Sequence, residues 1–308
     1  MKTLHKILTV AITALTVHQA TAQQDPLVSE YMFNQLFLNP AYAGAHPYTN
    51  GTLVCRDQWI SFPGAPVTEI ASVDGALKNK NIGIGGEVLN DHIGVSTRTA
   101  IYGDYSYHLK LDEKNTLAMG LKGGVEYYNA NLRDLTVWDE GDHVFMNNAQ
   151  SKFIPVIGPG LYFYGPNYYA GISIPNALSY KPGTFLYINL NNEPQFIRHY
   201  YFTGGYTYTF SDAFALKPSV LLKYVKGAPA QADFNLSAMF QNELIVGVSY
   251  RTGDSFLAMV EYYAMKNLRI GYAFDYSYTD MRFYAYGSHE ISVSYNFGDE
   301  AKTGKPQF

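Results

Sequence analysis

Three short stretches of this 308-residue chain carry residue types that could do chemistry. Gly171-Ile172-Ser173-Ile174-Pro175 nearly spells the G-x-S-x-G turn that exposes a nucleophilic serine, but proline stands where the last glycine belongs. His289-Glu290 begins an H-E-x-x-H zinc motif and stops there, without a second histidine at helical spacing. Asp139-Glu140-Gly141-Asp142 offers carboxylate oxygens to Ca²⁺, without the alternate-residue spacing of a calcium loop. Neither a C-x-x-C pair nor a phosphate-cradling glycine run ending in Gly-Lys-Ser/Thr occurs. An enzyme would need a serine and a histidine gathered from distant strands. The expectation is a protein with no catalytic residues, no cofactor and no metal. Cys55, the sole cysteine, permits no intrachain disulfide and reads as a small apolar strand residue.

Composition says where such a chain lives. Lys2, His5 and Lys6 precede an apolar run from Ile7 to Val17 and an Ala20-Thr21-Ala22 cleavage site, which together make a secretory leader cut between Ala22 and Gln23. The apolar run is too short for a membrane anchor. Twenty-two basic and 26 acidic residues leave a charge of −4, and loss of Lys2 and Lys6 with the leader makes it −6, so nothing favours nucleic acid. Tyr (28) and Gly (27) are abundant, charged residues make up only 16%, and the mean hydropathy is −0.14. No later run approaches the roughly 18 apolar residues a membrane helix needs. A secreted, aromatic, weakly charged chain of this kind suggests an outer-membrane β-barrel in contact with lipid.

Periodicity supplies the elements. Ala232, Phe234, Leu236, Ala238 and Phe240 alternate with Asp233, Asn235, Ser237, Met239 and Gln241; Leu268 to Tyr278 alternates likewise. Successive strand residues face opposite sides, so each segment has an apolar and a polar or small face. Fourteen strands are expected, near 51–59, 67–77, 81–90, 96–111, 115–130, 155–164, 168–174, 198–210, 213–226, 230–241, 243–252, 255–264, 267–278 and 288–297. Every second connection is short and polar (Asp112-Glu113-Lys114, Ser211-Asp212, Lys266-Asn267), and the intervening ones are mostly longer. That parity matches short periplasmic turns and long outer loops, and an even count leaves both termini periplasmic. A soluble sandwich shares the period but has no reason to keep the parity. Tyr and Phe at the strand ends suit the headgroup level. The division expected is a leader at 1–22, an N-terminal plug or periplasmic segment at 23–50, a barrel at 51–297 and a periplasmic tail at 298–308.

With apolar faces outward, Asp104, His108, Lys122, Glu126, Lys217, Lys223, Asp233, Glu261, Arg269 and Asp275 should face the lumen, where mixed signs favour ion pairs over a one-ion field. Side chains alone do not fill a barrel of fourteen strands. The stretch Phe33-Asn34-Gln35-Leu36-Phe37-Leu38-Asn39-Pro40-Ala41-Tyr42-Ala43-Gly44 is apolar yet too short and broken for a strand. Leaving one Phe or Leu in water costs about 1.5–3 kcal/mol. Tyr31, Phe33, Asn34, Phe37, Asn39, Pro40 and Tyr42 are therefore candidates to plug the barrel, entering from the periplasmic side, or to contact a partner. The alternative is packing at the periplasmic rim. In the outer loops, Trp59, Phe62, Arg282, Phe283 and Tyr284 are of the types favoured as protein-binding anchors; the other reading is loops folded over the mouth.

The chain resembles the PorP/SprF family of outer-membrane proteins of type IX secretion and gliding. The resemblance runs through Gln24-Asp25-Pro26, Tyr31-Met32-Phe33-Asn34, Leu38-Asn39-Pro40-Ala41-Tyr42-Ala43-Gly44, Arg56-Asp57-Gln58-Trp59, Asn90-Asp91-His92-Ile93-Gly94, Arg198-His199-Tyr200-Tyr201 and Gly287-Ser288-His289-Glu290-Ile291. It implies a non-catalytic barrel that docks or anchors secreted cargo through its C-terminal sorting domain, or meets a periplasmic peptidoglycan-binding lipoprotein and other secretion components. A passive porin-like channel is the alternative.

Overall fold

The computed structural model of the protein describes residues 26–77, 81–131, 150–178 and 197–298. The leader with its Ala22/Gln23 junction, the acidic loop at Asp139–Asp142 and the tail from residue 299 lie outside them.

The strands are β1 (Thr49–Asp57), β2 (Val67–Ala76), β3 (Ile82–Ile93), β4 (Ser96–Lys110), β5 (Thr116–Ala130), β6 (Gln150–Tyr164), β7 (Tyr168–Ser173), β8 (His199–Tyr206), β9 (Tyr208–Ser211), β10 (Phe214–Val225), β11 (Gln231–Phe240), β12 (Leu244–Arg251), β13 (Ser255–Met265), β14 (Leu268–Ser277) and β15 (Ser288–Phe297). β8 and β9 are one barrel strand split at Thr207. They lie on the same edge of β10 in one register, with Gly205 opposite Ser219 and Tyr208 opposite Leu216. The fourteen resulting strands are the fourteen expected. Each is antiparallel to the next, β1 pairs with β15 and β10 with β11, so the sheet closes without an edge. Closure is what a sheet needs in lipid, where an unpaired backbone N–H or C=O has no water to turn to.

The faces are the reverse of a soluble protein's. Along β15, Ile291 and Phe297 are 55% and 51% exposed, whereas Glu290, Ser292 and Ser294 are buried. β4 exposes Ile101, Tyr105 and Tyr107 and buries Asp104, Ser106 and His108. Apolar side chains form the outer girdle and polar ones the lumen, as in outer-membrane barrels. Cys55 is on the outer face.

The N-terminal segment runs through the lumen. All residues from Val28 to Ala41 are buried, though they belong to no strand. Its first part meets Arg56, Asp275 and Glu290, near the strand ends that carry the loops after β1 and β14. Its last part meets Asp74, Ser106 and His108, near the opposite ends, where Thr49 of β1 pairs with Phe297 of β15. The segment runs from the end of the barrel that carries the loops after β1 and β14 to the opposite end, because its polar partners are spread along the length of the wall.

Candidate functional site

Local chemistry explains the shape of the segment. Phe33 N–H bonds to the Glu30 carbonyl (3.0 Å) and closes a 3₁₀ turn over Tyr31–Phe33. A second turn, Pro40–Tyr42, has proline at its first position and Asn39 as its cap: the Asn39 Oδ1 accepts from Ala41 N–H at 3.0 Å. Proline and asparagine are suited to these places, because proline brings no N–H to lose and the amide satisfies an orphan donor. The Asn39 Nδ2 donates to the Leu161 carbonyl at 2.9 Å and so ties the cap to β6. The wall is cut back to receive this turn. A Cβ on Gly83, Gly120 or Gly160 would run into Ala43, Ala41 or Asn39.

Four polar grips hold the segment. In the first, the Glu290 carboxylate accepts from Ser29 N–H (2.7 Å) and Glu30 N–H (2.8 Å), and Arg56 bridges Glu290 (3.1 Å), Asp275 (2.5 Å) and the Ser29 hydroxyl. Arg251 joins Asp233 at 2.8 Å and Asp275 at 3.5 Å beside it. In the second, Lys122 Nζ lies 2.9 Å from Glu87 and 3.9 Å from Asp104, donates to the Phe37 carbonyl at 3.2 Å and sits 4.9 Å over the Tyr102 ring. Glu126 alongside accepts from Arg98 (2.7 Å) and Tyr102 (2.6 Å).

In the third, at the barrel end opposite the loops after β1 and β14, His46 Nε2 is 2.9 Å from Asp74, which also accepts from Gly44 N–H (2.8 Å). Burial alone disfavours the His46 imidazolium, but the field and hydrogen bond of Asp74 outweigh it and hold its pKa above the ordinary value. In the fourth grip Arg269 donates to the Phe33 carbonyl (3.2 Å), lies 5.0 Å over the Phe33 ring and is 3.5 Å from Glu261.

Apolar contacts complete the fit. Val28, Tyr31, Met32, Phe33, Phe37 and Leu38 share one cluster with Ile70, Leu89, Val156, Leu221, Ile245 and Met259. The Tyr42 ring meets Tyr162 edge-on at 5.6 Å, and Asn34 donates to Ser72 at 2.9 Å. After β7 the chain also turns inward. Ile174 N–H bonds to Pro159, Ala177 N–H to Ile157, and Asn176, Ala177 and Leu178 are buried. Cavities of about 10, 20 and 20 Å³, each with room for about one water molecule, remain between segment and wall. Ser173, the near-miss nucleophile, gives its hydroxyl proton to the Leu38 carbonyl at 2.5 Å. Among the described residues no group of three His, Cys, Asp or Glu side chains could hold a metal.

All ten lumen residues named from alternation are on the inner wall, and seven of them belong to the grips or to the ion pairs beside them: Asp104, Lys122, Glu126, Asp233, Glu261, Arg269 and Asp275. The alternation also offered Arg56, Asp74, Glu87, Arg251 and Glu290, which were not singled out. Arg56 and Glu290 are direct cross-strand partners, a signal readable only once β1 and β15 are known to be neighbours.

The outer rim carries the other candidates. Ile60 N–H bonds to the Gly287 carbonyl (2.8 Å), and Tyr286 N–H to the Ile60 carbonyl (3.0 Å). Trp59 N–H donates to the Ser288 hydroxyl at 3.1 Å, and Gly94 N–H to the Gly64 carbonyl at 2.9 Å. The loop after β1 is thereby stitched to its neighbours on both sides. Trp59 itself is half-buried with a left-handed φ of 51°. Phe283, Tyr284 and Tyr286 are 68%, 66% and 79% exposed, Phe62 is exposed in the loop after β1, and Arg282 stands 4.7 Å over the Phe283 ring.

The family model for the type IX secretion system membrane protein PorP/SprF matches residues 20–295. The chain belongs to the PorP/SprF family. This PorP/SprF barrel is an outer-membrane protein by family and by fold. No curated protein matches its sequence. Among solved structures it is similar to the CymD monoaromatic hydrocarbon channel (12% identity, 85% of this chain and 92% of that one, TM-score 0.49). It is also similar to Omp33 of Acinetobacter baumannii (10%, 82% and 100%, 0.47) and to the KdgM porin (13%, 81% and 99%, 0.41).

Proposed function

We propose that the protein is a non-catalytic docking barrel of the type IX secretion and gliding machinery. It holds secreted cargo, through the cargo's C-terminal sorting domain, at the outer rim, or a peptidoglycan-binding lipoprotein at the periplasmic mouth. The observation that carries this reading is the rim: Phe62, Phe283, Tyr284 and Tyr286 stand exposed beside Arg282 on loops stitched together by backbone hydrogen bonds. Preorganised aromatics and arginine lose little freedom on binding, which is how a few side chains come to carry most of an interface's energy. The N-terminal segment acts as a plug in this reading. Its grips and close packing favour docking over the rival passive channel, which needs an open lumen.

Affinity purification of the tagged protein from its own host in mild detergent, followed by mass spectrometry, tests the proposal. Recovery of a large secreted protein or of a peptidoglycan-binding lipoprotein, lost from the Phe283→Ala, Tyr284→Ala, Tyr286→Ala triple variant in the first case only, is expected. A barrel that comes out alone and conducts ions in planar bilayers would leave the channel reading.

A further inference from the structure

Two histidines lie near one carboxylate where the N-terminal segment leaves the lumen for β1, and they differ in what they need. His46 Nδ1 is 2.7 Å from the Tyr48 carbonyl, and its Nε2 is 2.9 Å from the Asp74 carboxylate. A carbonyl and a carboxylate only accept, so a neutral imidazole would turn a lone pair toward one of them. The contacts at His46 call for a proton on each ring nitrogen. His108 is different: its Nε2 is 2.9 Å from the Ala43 carbonyl, and its Nδ1 is 3.0 Å from the Tyr164 hydroxyl, which can donate. One proton satisfies His108; His46 needs two.

The second proton is held away from water. His46 and Asp74 are 6% and 4% exposed, and the His46 ring stacks on Tyr48 at 4.6 Å and meets Tyr42 edge-on at 5.7 Å. The titratable groups facing His46 are Asp74 of β2, His108 of β4, Arg269 of β14, and Tyr42 and Tyr48 of its own segment. Asp74 also accepts from Gly44 N–H at 2.8 Å. Gly44 has a φ of 69° and passes so close to the wall that a Cβ on it would meet the Gly83 Cα at 2.8 Å. Loss of the second proton turns one His46 contact into an acceptor facing an acceptor and takes the counter-ion from Asp74. Both changes are costly in a buried site. Pro47, next in the chain, is exposed, so water is one residue away.

We propose that His46, Asp74 and Gly44 form a proton-operated latch at this end of the segment: doubly protonated His46 closes it, and loss of the second proton frees residues 44–48 from β2. The proton leaves to water past Pro47. The bonds from Ser106 (2.6 Å) and His108 (2.9 Å) to the Ala43 carbonyl do not involve it, so the segment loosens from its exit inward. The closed latch binds one proton more than the open one, so it weakens as pH rises above the ordinary histidine value of about 6.5.

The test is hydrogen–deuterium exchange of the purified full-length protein in detergent, with protection factors corrected for the intrinsic exchange rate. Protection of the Gly44 amide should fall at least tenfold between about pH 6 and about pH 9, while the β4 amides keep theirs. His46→Gln, which takes up no proton, and Asp74→Asn, which still accepts from Gly44, should each remove that fall. His108→Gln and Glu30→Gln should retain it, and heat-modifiability on gels checks that all four variants fold. Wild-type protection that does not change with pH, a fall that persists in His46→Gln, or a fall lost in His108→Gln or Glu30→Gln would overturn the proposal.

Discussion

Arg56 shows how much one residue can hold in a polar lumen. It faces Asp275, Glu290 and the Ser29 hydroxyl while 3% exposed. Replacing it with methionine takes the cation from Glu290 and leaves Asp275 with Arg251 alone, at 3.5 Å, and removal of one partner from a buried pair costs about 3–5 kcal/mol. Arg56→Met should therefore lower the denaturant midpoint in detergent strongly, whereas the exposed Lys110→Met should not. Adding Glu290→Gln to Arg56→Met should recover part of the loss; no recovery would mean that Arg56 acts through packing alone. Alternation was enough to put Asp104, Lys122, Glu126 and Asp275 on the inner wall, because a strand's side chains have a period of two. It could not say that Asp104 and Lys122 are cross-strand partners, nor that Glu290, read first as half a zinc motif, would accept two backbone N–H groups from residues 260 positions away.

The N-terminal segment is the element whose behaviour depends on pH. Glu30 is buried among Ser292, Arg269 and the carboxylates of Glu261 and Glu290. Burial, then the neighbouring carboxylates of Glu261 and Glu290, push its pKa well above the ordinary carboxylate value, against the weaker opposing effects of Ser292 and Arg269. The seated segment thus keeps a proton that the released one gives up, and by linkage its stability falls as pH rises through and beyond the ordinary carboxylate range. The melting temperature of the wild type should drop between about pH 5 and about pH 8. Glu30→Gln should flatten that drop; an unchanged slope would show that other groups set it. Nothing in the sequence marks Glu30 out, since its environment is made by β13 and β15. By contrast, the apolar run broken at Asn39-Pro40 already shows a piece that needs burial and cannot be a strand. The groove of Gly83, Gly120 and Gly160 that accepts it is scattered over three strands and invisible as a motif.

At the scale of the whole molecule, the barrel's ladder does not depend on the segment: every strand pairs with two others through its own backbone. Deletion of Tyr31 to Gly44 should leave an inserted barrel and raise its single-channel conductance at least tenfold over the intact protein. Unchanged conductance would mean that the inward turn after β7, with Asn176, Ala177 and Leu178, closes the lumen by itself.

The sequence by itself determined the class, the strand count and the faces. Those follow from the period of two, the parity of the connections and the absence of long apolar runs, all local properties that survive without knowledge of neighbours. Only the tertiary structure decided the path of the N-terminal segment through the lumen and the pairing of Arg56 with Asp275 and Glu290. The reason is physical: a closed sheet brings β1 beside β15 and β10 beside both β8 and β11, and the energy of a buried charge depends on which side chains that closure puts within a few ångströms of it.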